Sequence, residues 1–181
     1  NPSPKLHWKV PVLDVYIYNG NYYALYGDKL GIYDTTTNVY TEQQNGAGSA
    51  SRIYDSVLVG NTVYFTSSPS IFCILNLDNL NFQQYTTPEI IYTLFHDSVN
   101  NKVFQKSHAS PTRDMYSYNL STNIYALDNT HRGFISFSTE NFINYQGELY
   151  YTGDSTGGIS THYEIYKYNF STKIPLVVVN L

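Results

Sequence analysis

Charge is scarce in this sequence. Charged side chains make up 13% of its 181 residues, about half the usual share of roughly 25%. Lys and Arg total 10, scattered singly, and the formal net charge is −4. A nucleic-acid binder needs a basic face, so no nucleic-acid partner is expected. Cysteine occurs once, as Cys73, which excludes an internal disulfide. This mildly favours the cytosol without excluding an exported protein. The neighbours Ile71, Phe72, Ile74 and Leu75 are apolar, so a buried core thiol is expected instead of a reactive one. No apolar run reaches the roughly 18–20 residues of a membrane span. No stretch keeps a helical period for more than about two turns. An initiator methionine is also missing: the chain opens on Asn1, and the expectation is a mature chain after signal-peptide removal.

Aromatic residues fill the space that charge leaves. There are 20 Tyr and 9 Phe, with Asn, Thr and Ser supplying most of the polarity. This mixture suits pleated, half-buried surfaces and favours strand. One phrase then recurs. It reads Tyr33-Asp34-Thr35-Thr36-Thr37-Asn38-Val39-Tyr40 and returns as Leu75-Asn76-Leu77-Asp78-Asn79-Leu80-Asn81-Phe82, as Tyr118-Asn119-Leu120-Ser121-Thr122-Asn123-Ile124-Tyr125 and as Tyr168-Asn169-Phe170-Ser171-Thr172-Lys173-Ile174-Pro175. Its Asp/Asn positions stand 42, 43 and 50 residues apart. A period of about 40–50 residues filled with short strands predicts an all-β fold, a β-propeller with one four-stranded antiparallel blade per repeat.

The repeats divide residues 1–181 into a leader, 1–9, and four blades of one domain, near 10–45, 52–87, 90–129 and 134–180. In the first, strands are expected at 10–18, 22–26, 30–33 and 39–43, with turns at Asn19-Gly20 and Gly27-Asp28. Asn45 to Ser49 links to the next blade. In the third, strand 91–95 meets a turn at Asn100-Asn101. Four blades either close a ring by themselves or form part of a larger propeller. Residues 5–12 would pair with the last blade and clasp the ring, because an open sheet edge is a liability.

The phrase between third and fourth strands has a physical purpose. The chain reverses within about four residues, and an Asp or Asn carboxyl or amide oxygen accepts the backbone N–H two residues on. Flanking aromatics cover the blade face. Tyr33-Asp34 to Asn38, Tyr118-Asn119 to Asn123 and Tyr168-Asn169 to Lys173, with the doublet Gly157-Gly158, resemble the blade of kelch-like propellers. Tyr40, Phe82, Tyr125 and Pro175 stand where that family carries Trp, and Leu75-Asn76 departs from its Tyr-Asp/Asn turn. No Trp-Asp blade signature is present. What the resemblance implies is a rigid binding or assembly platform.

Catalytic groupings are missing from the pattern, so no enzyme and no cofactor is expected. His7, His96, His108, His131 and His162 lack metal-site spacing, and no metal is expected. His96, Asp97 and Ser98 are adjacent on a strand and point alternately, so they cannot form a triad. Asp28, Asp55, Asp97 and Asp154 are read as turn caps. Asn119-Leu120-Ser121 and Asn169-Phe170-Ser171 are N-glycosylation sequons at the same turn of successive blades. Tyr18, Tyr22, Tyr23, Tyr26, Tyr85, Tyr145, Tyr150, Tyr151 and Tyr163 divide between blade packing and a rim suited to protein or glycan contact.

These features predict a non-enzymatic structural and binding propeller on an extracellular or virion surface, a tail, nozzle or host-attachment component. Its partners would be other protein subunits in a homo- or hetero-oligomer, with a host glycan or receptor as a further partner. The composition resembles exported and virion proteins of archaeal viruses from acid hot springs. Two alternatives stand beside it. One is a carbohydrate-active or ligand-binding propeller with its site at the central channel. The other is an intracellular kelch-like adaptor.

Overall fold

The computed structural model describes residues 14–48, 52–67, 70–88, 90–107, 114–130, 142–145, 148–153, 164–169 and 174–180. All regular structure among them is strand. The first sheet holds β1 (Asp14–Tyr18), β2 (Asn21–Tyr26), β3 (Lys29–Asp34) and β4 (Val39–Gln44). The second holds β5 (Ile53–Val59), β6 (Thr62–Ser67), β7 (Ile71–Asn76) and β8 (Phe82–Thr86). The third holds β9 (Ile91–Asp97), β10 (Lys102–Ser107), β11 (Asp114–Asn119) and β12 (Ile124–Thr130). The fourth holds β13 (Phe142–Tyr145), β14 (Glu148–Gly153), β15 (Glu164–Asn169) and β16 (Ile174–Asn180). Every sheet is an antiparallel meander in chain order. This is the four-by-four arrangement that the repeats predict.

The chain forms two compact units, Asn1–Thr87 with the first two sheets and Pro88–Leu181 with the other two. In the first unit, sheets 1 and 2 pack through one core of Tyr23, Leu25, Leu30, Ala47, Ile53, Val63, Phe65, Cys73, Leu75 and Leu77. Burying a Phe or Leu side chain contributes about 1.5–3 kcal/mol, so this face supplies most of the stacking energy. β6 and β7 are buried on both faces, which is why they read as near-continuous apolar runs. The fourth strands β4 and β8 are largely exposed. The first strands meet instead: Tyr16 of β1 donates to Ser56 of β5, and in the second unit β13 lies against β9. Adjacent first strands and solvent-facing fourth strands are what radial stacking about an axis requires.

Turn chemistry sets the register. Asn19 and Gly20 both have positive φ, 47° and 78°, and join β1 to β2 in a two-residue hairpin, the geometry an Asn-Gly pair favours. Two expectations are corrected. β9 runs on to Asp97 and does not stop at 95, and the expected turn at Asn100-Asn101 is the second half of the four-residue loop 98–101. Asp55 sits inside β5 beside a register shift, so it is a strand residue and not a turn cap. The leader 1–9, residues 10–13 of the first expected strand, the clasp 5–12, the doublet Gly157-Gly158 and Asp154 lie outside the described residues.

Candidate functional site

The loops between third and fourth strands repeat one construction. Asp34 Oδ1 accepts from the N–H groups of Thr36 and Thr37 at 2.8 and 3.1 Å. Asn76 Oδ1 accepts from Asp78 and Asn79 at 2.9 and 3.2 Å. Asn119 Oδ1 accepts from Ser121 and Thr122 at 2.9 and 3.0 Å. The expected turn role therefore holds at these three positions; the corresponding loop 170–173 lies outside the described residues. Asp97 builds the same turn in the hairpin after β9, accepting from Val99 and Asn100 at 2.9 and 3.2 Å. The two N–H groups of Thr37 and Thr36 hold the Asp34 carboxyl below the usual carboxylate range.

Each of these loops closes with a residue in the left-handed region: Asn38 at 58°, Leu80 at 59°, Asn101 at 53° and Asn123 at 57°. Tyr33 donates to Asn38 Oδ1 at 2.9 Å, and Tyr118 donates to Asn123 Oδ1 at 3.0 Å. In the second blade both partners are leucine, Leu75 and Leu80, and they join the hydrophobic core instead. The loops are also tied to the first hairpin of their own blade. Thr35 donates its hydroxyl to the Gly20 carbonyl at 2.6 Å, Leu77 N–H donates to Asn61 O at 2.8 Å, and Leu120 N–H donates to Asn101 O at 2.9 Å.

Polar contacts stitch the two blades of the first unit. Tyr16 donates to Ser56 Oγ at 2.8 Å, and Ser56 donates to Asp14 Oδ2. Burial raises the Tyr16 hydroxyl well above the ordinary tyrosine range; the Ser56 bond opposes this and the Asp14 and Asp55 charges add to it. Tyr18 donates to Asp78 Oδ1 and Asn61 Nδ2 to Asp78 Oδ2, each at 2.6 Å. These two bonds hold the Asp78 carboxyl below its usual range. At the opposite end of the first blade, by the β2–β3 turn, Asn45 is fully buried. Its Nδ2 donates to the carbonyls of Gly27 and Lys29 at 3.1 and 3.0 Å, and its Oδ1 accepts from Ala47 N–H at 2.9 Å. Cys73 is buried, as expected, with Sγ 3.7 Å from the Gly46 carbonyl. Burial pushes its thiol up to about 12, out of reactive range.

The outer strands carry a second regularity. Their first residues are Val39, Phe82, Ile124 and Ile174. The first three are 51%, 47% and 59% exposed. Leu127 of β12 and Leu176 and Val178 of β16 are exposed apolar residues as well. Of the tyrosines singled out, Tyr23 and Tyr26 are buried in the blades, while Tyr22 and Tyr145 are exposed. Tyr163 and four histidines, His7, His108, His131 and His162, lie outside the described residues. His96 is partly buried, and burial lowers its pKa against the opposing Asp97 charge. Among the described residues, no three His, Cys, Asp or Glu side chains converge as a metal site requires. Asn119 ends β11 and Asn169 ends β15, the same place in their blades, and Asn119 is partly exposed.

No protein-family model and no curated protein sequence matches the chain. Solved structures do. The β-propeller domain of Cps50 (Swd1) from Myceliophteria thermophila superposes with a TM-score of 0.67 at 15% identity, over 97% of this chain and 60% of that one. The extracellular domain of the one component system BT4673 from B. thetaiotaomicron gives 0.65 at 13% identity, over 97% of this chain and 23% of that one. U3-55K gives 0.64 at 11% identity, over 95% of this chain and 53% of that one. The chain is an all-β protein with the β-propeller fold. It spans between 23% and 60% of the length of these three structures.

Proposed function

We propose that this chain is a non-enzymatic binding and assembly propeller, kelch-like in its turns, which works on an extracellular or virion surface. Its blades serve as four members of a larger ring, a reading supported by the 60% share of the Cps50 (Swd1) propeller domain that it spans. The partners are other protein subunits. One observation carries this reading: the first residue of successive outer strands is large, apolar and about half exposed, at Val39, Phe82 and Ile124. Singly scattered apolar residues are ordinary on a surface, but a contiguous or repeated apolar rim marks interaction. Low charge and abundant tyrosine suit such a contact. The same composition supports placement among virion tail, nozzle or attachment proteins of archaeal viruses.

Asn119 and Asn169 are the proposed N-glycan carriers. At Asn119 the turn uses Oδ1, so a sugar on Nδ2 leaves both turn bonds in place. The test of the main reading is a triple variant, Val39→Glu, Phe82→Glu and Ile124→Glu, compared with wild type by light scattering and sedimentation. Loss of higher-mass species with an unchanged circular dichroism spectrum is expected. Unaltered assembly would overturn the rim as the contact surface. The second reading, ligand binding at the channel, draws on the Asp14, Tyr16 and Ser56 cluster where first strands meet. Binding on a glycan array that Ser56→Ala abolishes would favour it.

A further inference from the structure

The sequence contains two Asn-Gly pairs, Asn19-Gly20 and Asn45-Gly46, and the fold treats them in opposite ways. We infer that Asn19 is a site of spontaneous amide-to-acid conversion, while Asn45 is protected from the same reaction. In this reaction the backbone nitrogen of the following glycine attacks the asparagine Cγ. The new C–N bond closes a five-membered succinimide, the Cγ–Nδ2 bond breaks, and the proton lost by the glycine nitrogen leaves with Nδ2 as ammonia. Water then opens either ring carbonyl, giving aspartate or isoaspartate. Nothing is oxidised or reduced, and water is the only co-reactant. Glycine favours the attack because it has no Cβ to shield its nitrogen.

At the first pair burial does not stand in the way. Asn19 and Gly20 are both exposed at the tip of the hairpin. The space around the Gly20 Cα is open, and a Cβ there would meet nothing closer than Thr35 Oγ1 at 3.8 Å. Hairpin tips open locally at small free-energy cost, which lets the side chain reach the attacking geometry. At the second pair every condition fails. Asn45 has no exposed surface, and both its amide hydrogens and its oxygen are committed to Gly27, Lys29 and Ala47. The Phe82 ring covers Gly46 and leaves no room for a side chain there.

The location gives the conversion a consequence. Asn19 adjoins Tyr18, whose hydroxyl bridges to Asp78 in the next blade at 2.6 Å. A carboxylate at position 19 adds like charge beside that bridge, and isoaspartate adds one backbone carbon to a two-residue hairpin. Conversion at Asn19 therefore weakens the stitch between the first two blades as the protein ages.

The experiment is peptide mapping by mass spectrometry of folded wild-type protein held at mildly alkaline pH, beside a urea-denatured sample. The folded sample should convert Asn19 at least about tenfold faster than Asn45, since local opening at a tip costs far less than opening a core position. The denatured sample should convert both. Asn19→Ser should remove the converting peptide, and Asn19→Asp should lower Tm relative to wild type. Equal rates for Asn19 and Asn45 in the folded protein would overturn the inference. So would an intact Asn19 in a folded sample whose denatured counterpart converts.

Discussion

Asn45→Ala deletes a side chain that joins the first blade to its linker. The fully buried amide makes three hydrogen bonds, two as donor to Gly27 O and Lys29 O and one as acceptor from Ala47 N–H. Alanine fills none of them. A buried group left without its partner costs about 1–3 kcal/mol. The two carbonyls keep a second lone pair for other partners and cost little, so the Ala47 N–H carries most of the loss. The expected loss is about 2–4 kcal/mol. For a chain of this size, that corresponds to a fall in Tm of roughly 5–15 °C. Urea titration followed by tyrosine fluorescence gives the free energy directly. Asn45→Asp sharpens the test. At neutral pH its carboxylate faces two carbonyls and is destabilising. Burial raises the folded pKa above the unfolded value, so the deficit grows as pH rises and shrinks in acid. A loss below about 0.5 kcal/mol for Asn45→Ala, the ordinary range of a surface change, would refute the reasoning.

Three further outcomes follow from the same geometry. Phe65→Ala empties a fully buried site in the core between the first two sheets and should cost about 3–5 kcal/mol in denaturant unfolding. Asp34→Asn should be nearly neutral at pH 7, because Asn76 and Asn119 build the same turn, whereas Asp34→Ala, which removes the acceptor for Thr36 and Thr37 N–H, should lower Tm. The folded pKa of Asp34 lies below its unfolded value, so its charge contributes stability above the unfolded carboxylate range and loses it as pH falls through the folded pKa. Asp34→Asn should therefore flatten the acid limb of a Tm-against-pH profile. Tyr118→Phe removes the brace to Asn123 and should cost about 0.5–1.5 kcal/mol, measured by thermal unfolding.

What the sequence disclosed was governed by distance along the chain. The Asp34, Asn76 and Asn119 turns are local, so residue types two and three apart state the hydrogen bonds outright. The Tyr33–Asn38 and Tyr118–Asn123 braces are also local. Their signal was the paired replacement of both partners by leucine in the second blade, Leu75 and Leu80. Asp97 shows the limit of reading by position. Its loop obeys the same rule one hairpin earlier in the blade, where the turn-cap reading of Asp97 holds but the strand before it was expected to stop at 95. The Tyr16, Ser56 and Asp14 stitch was invisible because residues 40 and 42 apart meet only after two sheets stack. Asn45 was hidden for a different reason. An Asn-Gly pair ordinarily marks an exposed turn, and only tertiary burial turns this one into a core hydrogen-bonding residue. The apolar rim was likewise concealed, because an alternating strand does not say which of its faces meets solvent.

The stacking of the first two blades through adjacent first strands is tested most directly by nuclear Overhauser contacts. Tyr16 and Ser56 belong to different sheets, yet their hydroxyl oxygens are 2.8 Å apart. Cross-peaks between the Tyr16 ring and the Ser56 β-protons are expected alongside those within each hairpin. A spectrum with intact hairpin contacts and no Tyr16–Ser56 contact would contradict blade-on-blade stacking.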